Sequence, residues 1–268
     1  MSPTSSVIQG KRILVTRAKE QAASFSEKIS ELGGIPIEIP LIKIQPPKNL
    51  EQIEQALADI NRYDWLVFTS VNGVQYFFHF LEKYNICLQK GKQPKIAVVG
   101  KKTLQALEQR GITVDLIPEQ FVAENLLEKL REKVTAGDSV LLARGNLARS
   151  LLPEKLREMG VHVNDLIIYE TVLNYEKQAE LKQLLKSRSL DIITFTSSST
   201  VTNFVELLEG TGWRDWLDHT QIVCIGPITE KTALEAGMNV DIVAKEYTIA
   251  GIIEAIINSN VREGTINE

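Results

Sequence analysis

The stretch Lys11-Arg12-Ile13-Leu14-Val15-Thr16-Arg17 returns 127 residues later as Asp138-Ser139-Val140-Leu141-Leu142-Ala143-Arg144. Each copy is a short apolar run closing on Arg, the pattern of a strand buried on both faces. The same offset pairs Lys28 with Lys155, Glu31 with Glu158, Gly33 with Gly160 and Asp64 with Asp191. It then pairs Phe68-Thr69-Ser70 with Phe195-Thr196-Ser197, and Val74 and Phe77 with Val201 and Phe204. At an offset of 126, Gly100, Thr103, Gly111 and Val114-Asp115 match Gly226, Thr229, Gly237 and Val240-Asp241, and Phe121 falls on Tyr247. Chance supplies single pairs; an ordered series along half a chain is a duplication.

Outward from these anchors, each copy reads as alternating strands and helices. Residues 13–16 and 140–143 are strands, followed by amphipathic stretches closed at Gly33 and Gly160, which suit the left-handed turn after a helix. Residues 65–69 and 192–196 are strands before helices with apolar residues at helical spacing: Val74, Phe77, Phe78 and Leu81, then Val201, Phe204, Leu207 and Leu208. Residues 96–99 and 222–225 repeat the theme, with helices closing at Gly111 and Gly237. This alternation predicts an α/β fold whose parallel sheets carry helices on both faces. The extended, β-branched segments 36–47 and 166–173 follow the first helix of each copy and read as linkers. The polar tail after Asn258 is expected to fray.

At 268 residues the chain has room for two domains with separate cores. A hydrophobic share of 44% against 24% charged residues is that of a globular protein. A net charge of −4 offers no basic field, so nucleic acid is not an expected partner. Cys87 and Cys224 stand outside any CxxC, which disfavours a disulfide framework or a zinc site and predicts two semi-buried thiols in a reducing compartment. Residues 1–12 lack the apolar core of a secretory signal, and no apolar run reaches the roughly 18–20 residues of a membrane span. The expectation is a cytoplasmic monomer with no membrane contact.

Open parallel sheets bind ligands beyond the carboxyl ends of their strands. There the chain places Thr69-Ser70, Thr196-Ser197-Ser198, Gly100-x-x-Thr103 and Gly226-x-x-Thr229, each at the start of a helix. Ser and Thr in such places cap helices. The same free N–H groups, aided by the helix dipole, can hold a carboxylate or phosphate, and Gly lets a ligand approach the backbone. Capping explains any one of these turns; four in matched pairs point to a binding surface, without naming its ligand. Arg17 and Arg144 end the first strand of each copy, where each can fork onto a ligand carboxylate or pair with a neighbouring acid. Arg149, Lys101 and Lys102 are weaker candidates, as most such cations are simply solvated. Tyr169 lies in an apolar extended run, either as a packing residue or as a phenol that donates to a leaving oxygen. GxGxxG, Walker, GxSxG and HExxH patterns are missing, and His79, His162 and His219 are scattered. The chemistry is therefore expected to use no metal, cofactor or covalent nucleophile. A non-catalytic two-lobed binding protein for a small anion is the main alternative; a nucleotide-sugar transferase would need a longer chain and a Gly-rich diphosphate loop.

In the order and spacing of its motifs, the chain resembles the uroporphyrinogen-III synthases. The likeness runs through Val15-Thr16-Arg17, the Phe-Thr-Ser of 68–70 with Val74 and Phe77, Val-Gly-x-x-Thr at 99–103 and Glu-Met-Gly at 158–160. It continues through Ile-Ile-Tyr-Glu-Thr at 167–171, Phe-Thr-Ser-Ser-Ser-Thr-Val at 195–201 and Ile-Gly-Pro-Ile-Thr at 225–229. Each motif is diffuse, and their order carries the likeness; Ala143 in place of a hydroxyl residue makes the two copies unequal. The resemblance implies two interleaved flavodoxin-like lobes joined by a two-stranded linker, with a cleft between them. One lobe would comprise residues 1–39 with 172–268 and the other 43–167, the linkers being 36–47 and 166–173. It implies a cyclising hydro-lyase of tetrapyrrole biosynthesis that closes hydroxymethylbilane to uroporphyrinogen III, inverting ring D and losing water through azafulvene and spiro-pyrrolenine intermediates. The same substrate closes unaided without inversion, so the task is largely one of positioning. On this likeness Tyr169 is expected to assist hydroxyl departure. Thr69, Ser70, Gly100, Thr103, Thr196, Ser197, Ser198, Gly226 and Thr229 would hold the carboxylates, with Arg17 and Arg144 as further candidates. Transient contact with the preceding pathway enzyme is a further expectation.

Overall fold

The alternation of strands and helices is realised in a computed structural model that describes residues 8–88 and 93–263. Of the signal-free start read over residues 1–12, residues 1–7 lie outside the described residues, as do 264–268 of the frayed tail expected after Asn258; residues 259–263 instead continue helix 249–263. In chain order the elements are β1 (Arg12–Val15), α1 (Lys19–Glu31), β2 (Ile35–Glu38), β3 (Ile42–Gln45), α2 (Glu51–Ala58), β4 (Trp65–Phe68) and α3 (Val71–Lys83). Then come β5 (Lys95–Val98), α4 (Lys101–Glu108), α5 (Ala123–Arg131), β6 (Ser139–Gly145), α6 (Leu151–Glu158) and β7 (His162–Leu173). The chain continues with α7 (Gln178–Lys186), β8 (Ile192–Phe195), α8 (Ser198–Leu207), β9 (Gln221–Cys224), α9 (Pro227–Glu235), β10 (Ile242–Val243) and α10 (Ile249–Glu263). Besides β1, the strands β4, β5, β8 and β9 stop one residue before the sequence reading has them stop. Their helices are capped at Ser70, Gly100, Ser197 and Gly226, so the residue before each cap already belongs to the turn. Gly33, Gly111, Gly160 and Gly237 all take positive φ, between 71° and 81°, as their helix-ending role requires.

The chain divides into two compact units, Met1–Lys43 with Val172–Glu268, and Ile44–Thr171. The first holds a sheet in the order β10-β9-β8-β1-β2, and the second sheet runs β3-β7-β6-β4-β5. Pairing is parallel throughout the first sheet and from β7 to β5 in the second. The leading β-α-β of each sequence copy therefore sits with the trailing strands of the other copy. Two matched aspartates tie this exchange down. Asp64 accepts from Ser139 N–H at 2.8 Å and donates its own N–H to the Ser139 carbonyl. Asp191 does the same with Arg12, at 2.8 Å through its carboxylate and 3.0 Å through its N–H. Downstream, Asp115 and Asp241 accept from Ile96 and Ile222 N–H at 2.8 and 2.7 Å.

Period-two alternation explains how each sheet is buried twice. In β4, Leu66 and Phe68 join the core that contains Phe77, Ile96, Val98, Leu141 and Ala143, while Trp65 and Val67 face Leu126, Leu130, Val140 and Leu156. In the first unit, Leu14, Ile193 and Phe195 pack with Phe204 and Trp213, and Ile13, Val15 and Ile192 pack with Phe25 and Ile252. The repeat shows in the aromatic geometry too: Phe68 meets Phe77 edge-on at 5.1 Å and Phe195 meets Phe204 edge-on at 5.3 Å. The position that differs, Ala143 against Thr16, matters locally. Thr16 donates to the Thr194 carbonyl and Thr194 to the Leu14 carbonyl, both at 2.9 Å, satisfying two buried hydroxyls that the second unit does without.

Candidate functional site

The carboxyl ends of β4 to β7 gather a set of polar groups within the unit Ile44–Thr171. Ser70, in extended backbone, caps α3 by accepting from Gly73 N–H at 3.0 Å. Gly73 is required here, because a Cβ would come within 2.9 Å of the Ala143 carbonyl oxygen. The Ser70 hydroxyl also lies 3.1 Å from the Tyr169 hydroxyl, and either oxygen can donate. The Tyr169 ring stacks on Tyr76 at 5.7 Å and 21° and lies over Gly145, where a Cβ would collide with it. Tyr76 itself donates to the Ile44 carbonyl at 3.1 Å. The phenol thus sits at the positive end of a helix dipole, in line with a polarised hydroxyl.

Thr69, one residue before the cap, lines a neighbouring recess of about 270 Å³ with Val99, Phe121, Arg144, Arg149 and Leu152. Lys101 lies over the Phe121 ring at 5.5 Å, and Arg149 pairs with Glu124 at 2.8 Å. The Glu124 carboxyl is held below its ordinary value, first by its own backbone N–H and then by Arg149. Gly100 opens α4 with φ 93° and nothing near its missing Cβ, so backbone N–H groups there are approachable.

Other expected residues fall differently. Arg144 reaches the end of β6, but its fork is spent on Asp165 at 2.5 and 2.7 Å, and its third bond goes to the Ala148 carbonyl at 2.6 Å. Those Asp165 bonds raise the Arg144 pKa against the opposing effect of burial. Its counterpart Arg17 bonds Gln21 at 2.8 Å and has an Nε shielded from water without a partner, and burial lowers its pKa. Thr103 and Thr229 occupy the first turns of α4 and α9 and are largely buried, with 3% and 4% of their surface exposed. Gly226 adopts extended backbone at φ 178°, and the Tyr247 ring fills the space beside it, within 2.8 Å of where a Cβ would stand. The equivalence with Gly100 therefore ends at sequence: here the close approach is taken by an aromatic ring of the chain itself. Thr196 lies in the turn before α8 and Ser197 caps that helix, forming a reciprocal capping box with Thr200. The Ser198 hydroxyl donates to the Ile228 carbonyl and accepts from Thr232, tying α8 to α9. The cysteines are not alike, as Cys87 is exposed and Cys224 buried.

Sequence reasoning missed Asp165, Asn146, Gly145 and Tyr76. An acid on the strand beside an Arg-ended strand is a usable signal for the first; nothing local marks the others. Among the described residues no helix is long and apolar enough to cross a membrane, and no cluster of three His, Cys, Asp or Glu could hold a metal.

Comparison with known proteins bears on what this arrangement serves. Residues 23–254 match the family model for "Uroporphyrinogen-III synthase HemD". A uroporphyrinogen-III synthase of Synechococcus elongatus is 34% identical over 254 residues, covering 92% of this chain and 94% of that one. One from Chlorobaculum parvum is 31% identical, covering 92% and 98%. The fold is similar to that of a solved uroporphyrinogen III synthase of Thermus thermophilus, with a TM-score of 0.59 at 16% identity, covering 94% of this chain and all of the other. Nothing in these likenesses favours a non-catalytic binding protein. Aligned along nine-tenths of its length with such relatives, the chain belongs to the uroporphyrinogen-III synthase family.

Proposed function

We propose that this chain closes the linear tetrapyrrole hydroxymethylbilane to uroporphyrinogen III, with inversion of ring D and loss of water. The observation that carries the chemical part of this reading is the Tyr169 hydroxyl, seated 3.1 Å from the cap of α3. Gly73 N–H donates to Ser70, Ser70 donates to Tyr169, and the phenol is then oriented to donate its own proton to the departing hydroxyl of ring A. The products of that step are water and an azafulvene cation. The helix dipole favours the phenolate left behind, and a proton returns to it when the last pyrrole regains its aromaticity, so the step is balanced. Helix-start N–H groups beside Thr69, Ser70, Gly100, Thr196 and Ser197 hold the substrate carboxylates. Arg17, whose guanidinium bonds Gln21 rather than an acid, adds a charged contact that Arg144 is not free to make. Residues 1–39 with 172–268 and 43–167 act as the two lobes, with 36–47 and 166–173 as linkers.

Two measurements test this. Freshly generated hydroxymethylbilane should yield isomer III after oxidation of the product, and isomer I alone would overturn the assignment. Tyr169→Phe should slow ring closure by about 100-fold or more, the usual share of a general acid, while product affinity changes little. Equal losses in rate and affinity would remove the proton-donor role.

A further inference from the structure

In the sheet of the unit Ile44–Thr171, the pairing of β6 with β7 slips by one residue. Arg144 stands opposite Ile167, but Gly145 stands opposite Tyr169. A bulge of this kind re-aims the side chain that follows it. Three features secure the slip. Asp165 grips Arg144 with both carboxylate oxygens, and the pair is largely shielded, with side chains 11% and 19% exposed. The same guanidinium donates to the Ala148 carbonyl, closing a turn in which Ala148 N–H returns to the Gly145 carbonyl at 3.1 Å. Asn146 then serves the bulged strand as a substitute partner. Its N–H donates to the Tyr169 carbonyl at 3.2 Å, its side-chain oxygen accepts from Thr171 N–H at 2.8 Å, and its Nδ2 donates to the Thr171 carbonyl.

The duplicated half provides an internal control. By the repeat, Arg17, Glu38, Ala18 and Ile42 stand where Arg144, Asp165, Gly145 and Tyr169 stand. The register is the same, Val15 facing Glu38 as Leu142 faces Asp165. Yet there Arg17 turns to Gln21, β1 and β2 pair without a slip, and no phenol is present at the matched position. The clasp occurs in the copy that carries the tyrosine.

We propose that Arg144, Asp165, Gly145 and Asn146 form a positioning device that aims the Tyr169 hydroxyl at the start of α3. This rests on the reading of Tyr169 given above. Gly145 makes room, since its missing Cβ would lie 2.5 Å from the ring. The Arg144–Asp165 fork holds the turn that keeps Gly145 there, and Asn146 fixes the backbone that follows the ring, at the Tyr169 carbonyl and at Thr171. None of the four touches the substrate; each acts through Tyr169.

Asp165→Asn, Arg144→Lys and Gly145→Ala are to be assayed for ring closure singly and in a Tyr169→Phe background. Displacing the phenol by an ångström should lower kcat roughly 10- to 100-fold, leave KM within about three-fold, and cost nothing further once the phenol is gone. Lysine should fail to rescue because it cannot fork. Wild-type rates in both Asp165→Asn and Arg144→Lys, or losses that persist undiminished beside Tyr169→Phe, would overturn the proposal. A second readout is independent of activity. In protein carrying 3-fluorotyrosine, the resonance that disappears in Tyr169→Phe should shift in Asp165→Asn, and an unmoved resonance would also overturn it. If Tyr169→Phe closed the ring at the wild-type rate, the catalytic reading would fall, and the resonance alone would still decide the positioning claim. Should Gly145→Ala not fold, the two polar variants carry the test.

Discussion

Burial pushes the Cys224 thiol up to about 12, with the Glu230 charge adding to the effect. The thiol is therefore protonated and shielded at neutral pH, whereas Cys87 lies at the surface. Iodoacetamide should alkylate one thiol per folded chain, at Cys87, and reach the second only in denaturant. Mass mapping of a Cys224 adduct in the folded protein would contradict this. Gly73 illustrates a contest between two local effects. Alanine in a helix is favoured over glycine by roughly 1 kcal/mol, but here the added methyl would press on the backbone oxygen of Ala143, which cannot swing aside. Overpacking costs about 1–3 kcal/mol, so Gly73→Ala should lower the urea midpoint, and a raised midpoint would show that β6 yields. The second copy places Thr200 here and uses it in the capping box.

Among the helices, α3 and α8 are sequence twins with different duties. Both begin with a serine cap, but only Ser70 also meets a phenol, whereas Ser197 is closed on itself by Thr200 and Ser199. Removing either cap should cost about 1 kcal/mol of stability, measurable by urea denaturation. Ser197→Ala should show that loss in stability, while Ser70→Ala should in addition slow ring closure by removing the partner of Tyr169. A Ser70→Ala enzyme with the wild-type closure rate would break the proposed relay at its first link. The contrast follows from the strands rather than from the helices. β7 is long and slips past β6 to bring Tyr169 over the cap, and β2, its counterpart, ends at Glu38 before any such residue.

For the molecule as a whole, stability rests on contacts that exchange the two halves of the sequence, and Asp191 is where pH reads them. Burial works against its carboxylate, yet the hydrogen bonds from Arg12 N–H and Lys11, with the charges of both, hold its pKa below the ordinary value. A carboxyl depressed in the folded state binds its proton less readily there than in the unfolded chain. Its contribution is thus complete at neutral pH, begins to shrink as pH falls toward about 4, and is lost below the depressed value. Asp191→Asn should lower stability at neutral pH and flatten the decline in the acid range. Urea titrations across that range check it, and an unchanged acid slope would remove Asp191 from the account. Asp64, its twin, holds the other unit through the same two backbone bonds to Ser139.

By itself the sequence determined the duplication, the parallel α/β character, the helix-ending glycines and, by the order of its motifs, the family. These are legible because strand period, helix period and cap chemistry are properties of residues close together in the chain. Tertiary structure alone decided which polar groups are free. Arg17 and Arg144 read alike until Asp165, 21 residues from Arg144, closes on one of them. Gly100 and Gly226 read alike until the Tyr247 ring lies against the second. Tyr169 reads as packing or as acid until a register slip sets its hydroxyl beside Ser70, 99 residues away. Whether a donor is already spent depends on neighbours brought by the fold, and short-range patterning has no means of recording them.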